Sequence, residues 1–540
     1  MPSLTAWINR HKTLTLALAL LLALLYILHE PYPVDDAYIS YRYAHNLLAG
    51  DGLVWNPGER VEGYSNFLWT LLMAVGLKLG WEPEWWAIIV SIPIQMAALG
   101  LTYLLARRLL NSHIWGLAAL LLVGFNHSAA GFATSGMETP LQLLEFVAAA
   151  CLFARAAAGG WTISRALLFA LTLNAALLTR PDGIILTAAG ITGWLATRKQ
   201  PNLKDVAALA APFLLVFLPY LIWKQSYYGT IIPNSFQAKV FGLSGLPWGC
   251  YYLYLFLTYY LLLPFVVLAA WQGVRIYNES QPAGMLLIFS ALWFGYLMLV
   301  GGDFMEFRFI VPVLPMLMIG MLYAIKRSVS DRRLAAALLI GLMAGTANNM
   351  FAWSRNFYSY GVERLDGLKS HLYAPDENWV AIGRKLGELF GGSDVTISCG
   401  ASGAIPYYSR LKTVDFLGLT DREIPKIGEP FSNMPGHRII APLDYLVRRN
   451  VNLIVEPINF SWSELEYARW LRQASWADIY AFFMDVDKPA GGRIFNEANL
   501  IAIPYAERHW FLVWYLTPHP DVERVIREQN LQRIKLTREF

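Results

Sequence analysis

The chain has 540 residues, 56% of them hydrophobic and 15% charged, with a mean hydropathy of +0.39. Soluble domains carry about 25% charged residues, so this composition excludes a wholly soluble protein and identifies an integral membrane protein with an attached polar portion. The net charge of +4 gives no footing for nucleic acid, and three cysteines without a C-x-x-C spacing argue against a zinc site or a disulfide framework.

A membrane-crossing helix needs about 20 mostly apolar residues. The first such run, 13–29, follows Arg10 and Lys12 and lacks a small-x-small cleavage site, so it reads as a retained anchor. Further runs follow at 66–80, 86–106, 114–130, 139–154, 164–179, 183–197, 206–223, 251–272, 284–301, 309–325 and 334–350. The positive-inside rule arbitrates among them. Arg107/Arg108, Arg155/Arg165, Arg198/Lys199/Lys204, Arg275 and Lys326/Arg327/Arg332/Arg333 all fall on the cytoplasmic side only if 66–80 does not cross. The sequence therefore predicts a surface or re-entrant helix at 66–80 and about eleven spans.

After residue 350 the composition turns polar. "SDVTISCGA" has a strand pattern, "APLDYLVRRNVNLIVE" reads as a helix followed by a strand, and "DVERVIREQNLQRI" is an amphipathic helix. The expected architecture is a multi-pass α-helical membrane domain over 1–350, with a first outer loop at 30–85, and a soluble α/β domain over 351–540. By the same charge argument that domain lies outside the membrane, on the side away from the cytosol.

The outer loops hold most of the acids, asparagines and glycines of the membrane half. In "PVDDAYISYRYAHNLLAG", Pro33 and Asp35/Asp36 suit a helix start and Gly50 its stop. Asp35, Tyr38 and Arg42 recur at i, i+3 and i+7 and share one face. Acids favour helix N-termini, but two adjacent ones are more than a cap requires. The following "GDGLVWNPGERVEGYSN" adds Glu59, Glu62, Tyr64 and Asn66. "ATSGMETPL" places Glu138 at a helix mouth, and "LLTRPDGIIL" places Arg180 and Asp182 between apolar segments. Charges at membrane depth cost about 2.5–3.5 kcal/mol each, which marks either function or a local pair. "YYGTIIPNSFQAK" contributes Asn234 and Lys239, and "VGGDFMEFRFIVPVLP" contributes Asp303, Glu306 and Arg308. Arginine forks suit a lipid phosphate, although snorkelling to the interface is common.

Acids and cations on one membrane face suit attack by an activated hydroxyl on a carbon that bears a phosphate leaving group. A carboxylate orients or deprotonates the hydroxyl, and cations stabilise the departing phosphate. No nucleotide-binding glycine fingerprint is present.

Taken together, "DDAYISYRYAHNLLAGDGLVWNPGERVEGYSNFLW", "ATSGMETPL", "TRPDG", "GTIIPNSFQAK" and "GGDFMEFRFIVPVLP" resemble the GT-C superfamily of integral membrane glycosyltransferases. Within it they are most similar to the terminal arabinofuranosyltransferase group of mycobacterial cell-wall arabinan. The resemblance continues into the tail through "GASGAIPYYSRLKTVDFLGLTD" and "APLDYLVRRNVNLIVE". It implies a GT-C fold whose first outer loop carries the catalytic acid, matched here by Asp35 and Asp36. It also implies a sugar donor on a polyprenyl phosphate (decaprenyl-phospho-arabinofuranose for the mycobacterial relative), a glycan or glycolipid acceptor, and a bacterial inner membrane with the site facing the periplasm. On this reading Asp35 is the base or orienting acid. Asp36 supports it, or the pair holds a divalent cation (Mg, Mn or Ca); metal use stays open. Arg42, Arg180, Lys239 and Arg308 are the candidates for the donor phosphate. Glu62, Tyr64, Asn66, Glu138, Asp182, Asn234 and Asp303 are the candidates for sugar and acceptor hydroxyls. Trp462, Trp470, Trp476, Trp510 and Trp514 suit stacking on sugars, with core packing the favoured reading for most.

Two other classes remain. A flippase of lipid-linked sugars usually places polar residues near the bilayer midplane and shows inverted repeats; here they concentrate at the outer ends and no repeat is visible. A membrane-anchored glycan-binding protein leaves the polar loops of the membrane half unexplained.

Overall fold

Apolar runs of the first 350 residues form helices at nearly every position where hydropathy predicts one. The computed structural model describes residues 4–198, 200–239, 242–347, 362–375, 377–431, 436–455, 499–507 and 509–535. Contacts divide the chain into two units. The first comprises Met1–Tyr32, Ser65–Ile231 and Val240–Leu365; the second comprises Pro33–Tyr64, Ile232–Lys239 and Asp366–Phe540.

Among the described residues of the first unit, six helices are long and apolar enough to cross a membrane: Lys12–His29, Pro83–Leu109, Thr139–Gly159, Leu203–Tyr228, Gln281–Val300 and Arg308–Ser328. The run predicted as one span at 251–272 is instead two helices, Leu243–Tyr259 and Leu263–Glu279, inclined at 108°. The break has a local cause. Leu261 takes a left-handed backbone at φ 54°, and Pro264 sits in the first turn of the second helix, where its ring cannot continue a preceding one. Shorter apolar helices lie at Phe67–Lys78, His113–Gly124, Ile163–Thr179, Gly183–Thr197 and Arg333–Ala347. Of the eleven expected spans, six are long helices and one is the bent pair; the runs at 114–130, 164–179, 183–197 and 334–350 form only the shorter helices.

Phe67–Lys78 has 12 residues and so extends about 18 Å, against about 30 Å of hydrocarbon. It lies against Pro83–Leu109, where Trp86 Nε1 donates to Leu72 O at 2.8 Å.

The described residues of the second unit form a six-stranded mixed sheet in the order β2-β1-β5-β7-β6-β8. Its strands are β1 (Thr396–Cys399), β2 (Lys412–Asp415), β5 (Leu453–Ile454), β6 (Asn499–Ala506), β7 (His509–Tyr515) and β8 (Arg533–Lys535); β3 (Glu429–Pro430) and β4 (Ile439–Ile440) pair separately. β1 runs parallel to β2 and β5, while β5, β7, β6 and β8 pair antiparallel. Side chains alternate across the sheet as the period of two requires. Phe511, Val513 and Tyr515 face one core with Leu386 and Phe390 of the Trp379–Phe390 helix and Val525 of the Pro520–Glu528 helix. Leu512 and Trp514 face the other core with Val414, Phe416 and Ile454. Trp514 and the partly buried Trp510 are thus core residues, whereas Trp462, Trp470 and Trp476 lie outside the described residues.

The grouping differs from a single boundary at residue 350. Pro33–Tyr64, read from sequence as part of the membrane domain's first outer loop, belongs to the second unit. Asn56 shows why. Its Oδ1 accepts the Thr413 N–H at 3.0 Å and its Nδ2 donates to the Thr413 carbonyl at 2.9 Å, so one side-chain amide satisfies β2 as a neighbouring strand would. Truncating Asn56→Ala takes the acceptor from the Thr413 N–H and one acceptor from Arg42 Nη2, while the Thr413 carbonyl keeps the Trp55 Nε1 donor at 3.1 Å. We expect it to lower the unfolding free energy of this unit by about 2–3 kcal/mol, read by denaturant or thermal unfolding of the purified chain.

Candidate active site

In the second unit Pro33 and the two aspartates open the Ala37–Ala49 helix, and Gly50 closes it with a left-handed backbone at φ 93°. Asp36 occupies the cap position without making a side-chain capping bond, so capping does not account for the pair. Asp35, one residue earlier, accepts the Ala404 N–H on Oδ1 at 2.7 Å. It keeps some accessible surface yet lies deep. Burial pushes its carboxyl up to about 7; the Ala404 amide and His371 act in the opposite direction, and Asp36 reinforces the rise.

Arg42 does not serve as a phosphate ligand in this arrangement. Its guanidinium is buried and donates to Trp55 O (2.9 Å), Pro406 O (2.6 Å), Asn56 Oδ1 (3.1 Å) and Leu411 O (2.8 Å), and it stacks on the Trp55 ring at 4.5 Å. Asn234 is likewise structural. Its Nδ2 donates to the carbonyls of Gly418, Leu419 and Asp421, and its main-chain N–H donates to Glu62 O at 2.9 Å. Glu62 and Tyr64 are both buried, with the Tyr64 ring edge-on to Tyr43 at 4.8 Å. Lys239 ends the Asn234–Lys239 helix, and its side chain lies outside the described residues. Residue type alone pointed to sugar and phosphate contacts for Arg42 and Asn234; the structure shows their donors already engaged.

The first unit gathers the other candidates into one buried network. Arg180 donates from Nη1 to Glu138 Oε1 at 2.5 Å and from Nε to Asp182 Oδ2 at 2.9 Å. Asn66 Nδ2 donates to Glu138 Oε2 at 2.7 Å, and Gln142 Nε2 to Asp182 Oδ1 at 2.6 Å. Arg308 grips Asp303 through Nε (2.7 Å) and Nη2 (3.1 Å). Both guanidiniums lie over the Phe309 ring, at 4.8 Å for Arg180 and 4.9 Å for Arg308. Burial alone would raise the Glu138 carboxyl; Arg180 and Arg308, with Asn66, outweigh it and hold the group below the usual carboxylate range. The local Arg180–Asp182 pair anticipated from sequence is present, and Glu138 extends it across 42 positions of chain.

One cluster carried no role in the sequence reading. Ser128 Oγ lies 2.8 Å from Tyr260 Oη and donates to Glu306 Oε1 at 3.1 Å, while the Leu365 N–H donates to Glu306 Oε2 at 3.0 Å. The signal was hidden by hydropathy: the run 114–130 looked continuous, but the helix ends at Gly124 and Asn126 caps a new one at His127–Phe132.

A divalent cation on Asp35 and Asp36 needs further ligands. Among the described residues of their unit, the group of three acid or histidine side chains close enough to share an ion is Asp394, His519 and Asp521, which includes neither aspartate. The second unit also holds a cleft of about 430 Å³ lined by Glu59, Arg60, Asp421, Arg422 and Arg449, among others.

Residues 370–500 match the family described as a domain of unknown function, DUF8728. The chain is 28% identical over 324 residues to the terminal beta-(1->2)-arabinofuranosyltransferase of Corynebacterium glutamicum, covering 51% of this chain and 46% of the relative. It is 29% identical over 219 residues to the protein of the same description from Mycobacterium tuberculosis, covering 38% and 34%. The matches thus span less than half the length of these curated relatives. Among solved structures, ArnT from Cupriavidus metallidurans bound to undecaprenyl phosphate is similar at a TM-score of 0.52 and 13% identity, over 95% of this chain and 98% of that one. The oligosaccharyltransferase of Archaeoglobus fulgidus is similar at 0.50 and 12%, over 95% and 75%. Likeness at such identity speaks to the fold.

The two readings of Arg42 separate experimentally. Lysine offers a compact charge in place of the planar fork, so Arg42→Lys leaves carbonyls without donors. We expect a loss of about 2–4 kcal/mol in stability with the donor KM unchanged, checked by thermal unfolding and steady-state kinetics.

Proposed function

We propose that this multi-pass membrane chain, which has the GT-C fold of membrane glycosyltransferases, is itself a glycosyltransferase that takes a sugar from a polyprenyl-phosphate donor. Its likeness to the two arabinofuranosyltransferases supports arabinofuranose as the sugar, and the undecaprenyl phosphate bound to ArnT supports the donor class. The acceptor is a hydroxyl of a glycan or glycolipid at the periplasmic face of a bacterial inner membrane. The basic clusters that the positive-inside rule assigns to the cytosol support that orientation.

The observation that carries the reading is Asp35: a carboxylate fixed by a main-chain amide and raised to about 7. A general base works best with a pKa near the working pH. Asp35 takes the proton of the acceptor hydroxyl as its oxygen bonds to the anomeric carbon of the donor sugar. The bond from that carbon to the phosphate oxygen breaks, and the polyprenyl phosphate leaves. In the first unit, taken by itself, Arg180 is suited to an anionic phosphate, because its Nη2 stands outside the bonds to Glu138 and Asp182. Asn66, Glu138, Asp182 and Asp303 hold the two guanidiniums in place. In the second unit the cleft beside Glu59 and Arg449 offers charged hydrogen-bonding groups suited to acceptor hydroxyls.

The test is transfer from a panel of polyprenyl-phosphate sugars, headed by decaprenyl-phospho-arabinofuranose, to an arabinan acceptor, with and without chelator. We expect Asp35→Asn to lower kcat by about 10²–10⁴-fold. In the unsubstituted protein the base is protonated below its pKa, so kcat should fall about tenfold per unit as the pH drops below about 7 and level off above it. An Asp35→Asn variant working at the full rate sinks the assignment.

A further inference from the structure

We infer that the tail segment Gly403–Leu411 is a positioning element for the reaction, with the Ala404 N–H and the bare Cα of Gly403 fixing the orientation of the Asp35 carboxylate. The inference rests on Asp35 being the base. It adds that residues some 370 positions downstream decide where that base points.

Three observations converge. First, Asp35 precedes the helix; its main-chain oxygen accepts the Tyr38 N–H at 3.0 Å, and its side chain is anchored instead by the Ala404 N–H, which donates to Oδ1 at 2.7 Å from 369 residues away. Second, a Cβ built on Gly403 would overlap the main-chain oxygen and the carboxylate of Asp35. Any side chain there must displace the acid, because the backbone oxygen cannot swing aside. Third, the face that carries Asp35 is docked along its length on the same segment. Tyr38 packs against the rings of Tyr407 and Tyr408, at 5.4 and 5.5 Å, and Arg42 donates to the carbonyls of Pro406 and Leu411. The i, i+3, i+7 face therefore ends in the acid, and each of its three members touches residues 403–411. The segment itself is tied into the sheet domain, since the Ala404–Ser409 helix lies between β1 and β2.

A base misplaced by about 1 Å can lose on the order of 10²-fold in rate without losing substrate affinity. Losing an amide that stabilises the charged form also raises the pKa of the acid. The titratable groups that act on Asp35 besides these amides are Asp36 and His371, and both remain in the variants below.

The experiment uses the full chain and transfer from decaprenyl-phospho-arabinofuranose across a pH series. Ala404→Pro removes the donor at the first helical position, where proline suits the backbone. Gly403→Ala adds the offending Cβ. Both should lower kcat about 10–100-fold, leave the donor KM within about twofold, and move the half-maximal pH upward. Ala404→Gly keeps the N–H and should restore the original pH profile, an effect that a purely structural role would not produce. Monodisperse elution in detergent confirms folding for each variant, and the smaller change in Gly403→Ala decides the matter if the proline variant does not fold. Asp35→Asn inactive, with Gly403→Ala and Ala404→Pro unaltered in kcat and half-maximal pH, overturns the positioning role alone. Asp35→Asn at the full rate overturns the base assignment and this inference with it.

Discussion

A guanidinium does not shed its charge in a protein, so burying Arg42 obliges the fold to bring acceptors to it. It has them: the carbonyls of Trp55, Pro406 and Leu411 and the side-chain oxygen of Asn56, with the Trp55 ring laid against its face. These acceptors come from two stretches of chain more than 340 residues apart, 55–56 and 406–411. An unpaired buried charge is among the costliest defects a core can carry, of order 3–5 kcal/mol when one partner of such a pair is removed. The Pro33–Tyr64 segment and the first strands of the sheet are therefore held to one mutual geometry. Asp35 lies seven residues before Arg42 on the same face, so the acid inherits its place from a buried guanidinium.

The same economy of side-chain amides and carboxylates recurs through the second unit. Asn56 stands in for a strand beside β2, and Asn234 collects three carbonyls from Gly418, Leu419 and Asp421. Asp415, fully buried at the end of β2, accepts the amides of Leu417, Leu419 and Thr420. Loops in a protein interior must satisfy their backbone polar groups, and short polar side chains do it where no strand can. Many polar residues of these loops are thus clamps.

That is also where the sequence was hardest to read. Period and hydropathy are local signals, so the apolar helices, the short Phe67–Lys78 helix, the start at Asp35/Asp36 with its stop at Gly50, and the helix–strand pair around residues 443–454 were all visible. The break at Leu261 was not, because a left-handed leucine leaves no mark in hydropathy and Pro264 is tolerated in the first turn of a helix. Nor was the attachment of Pro33–Tyr64 to the tail, which rests on contacts such as Arg42 to Pro406, 364 residues apart. For the site, sequence marked the acidic pair and the Glu138, Arg180 and Asp182 group. It misread Arg42 and Asn234 because residue type says which donors exist, not whether neighbours already occupy them.

Occupancy also ranks the cations of the first unit. Arg308 engages Asp303 through two nitrogens and Met137 Sδ through the third, so its fork is closed. Arg180 makes two single bonds to two different acids, and its third nitrogen is outside both. Its side chain also keeps 11% of its surface against 6% for Arg308. The cluster counts two guanidiniums against the three carboxylates Glu138, Asp182 and Asp303, so it holds no surplus of positive charge to draw an anion by field alone. What it offers a phosphate is directed hydrogen bonding from a fork already oriented by its acids, the geometry in which arginine surpasses lysine. The carboxylates orient Arg180, so that an anion at its third nitrogen would meet a donor that need not reorganise.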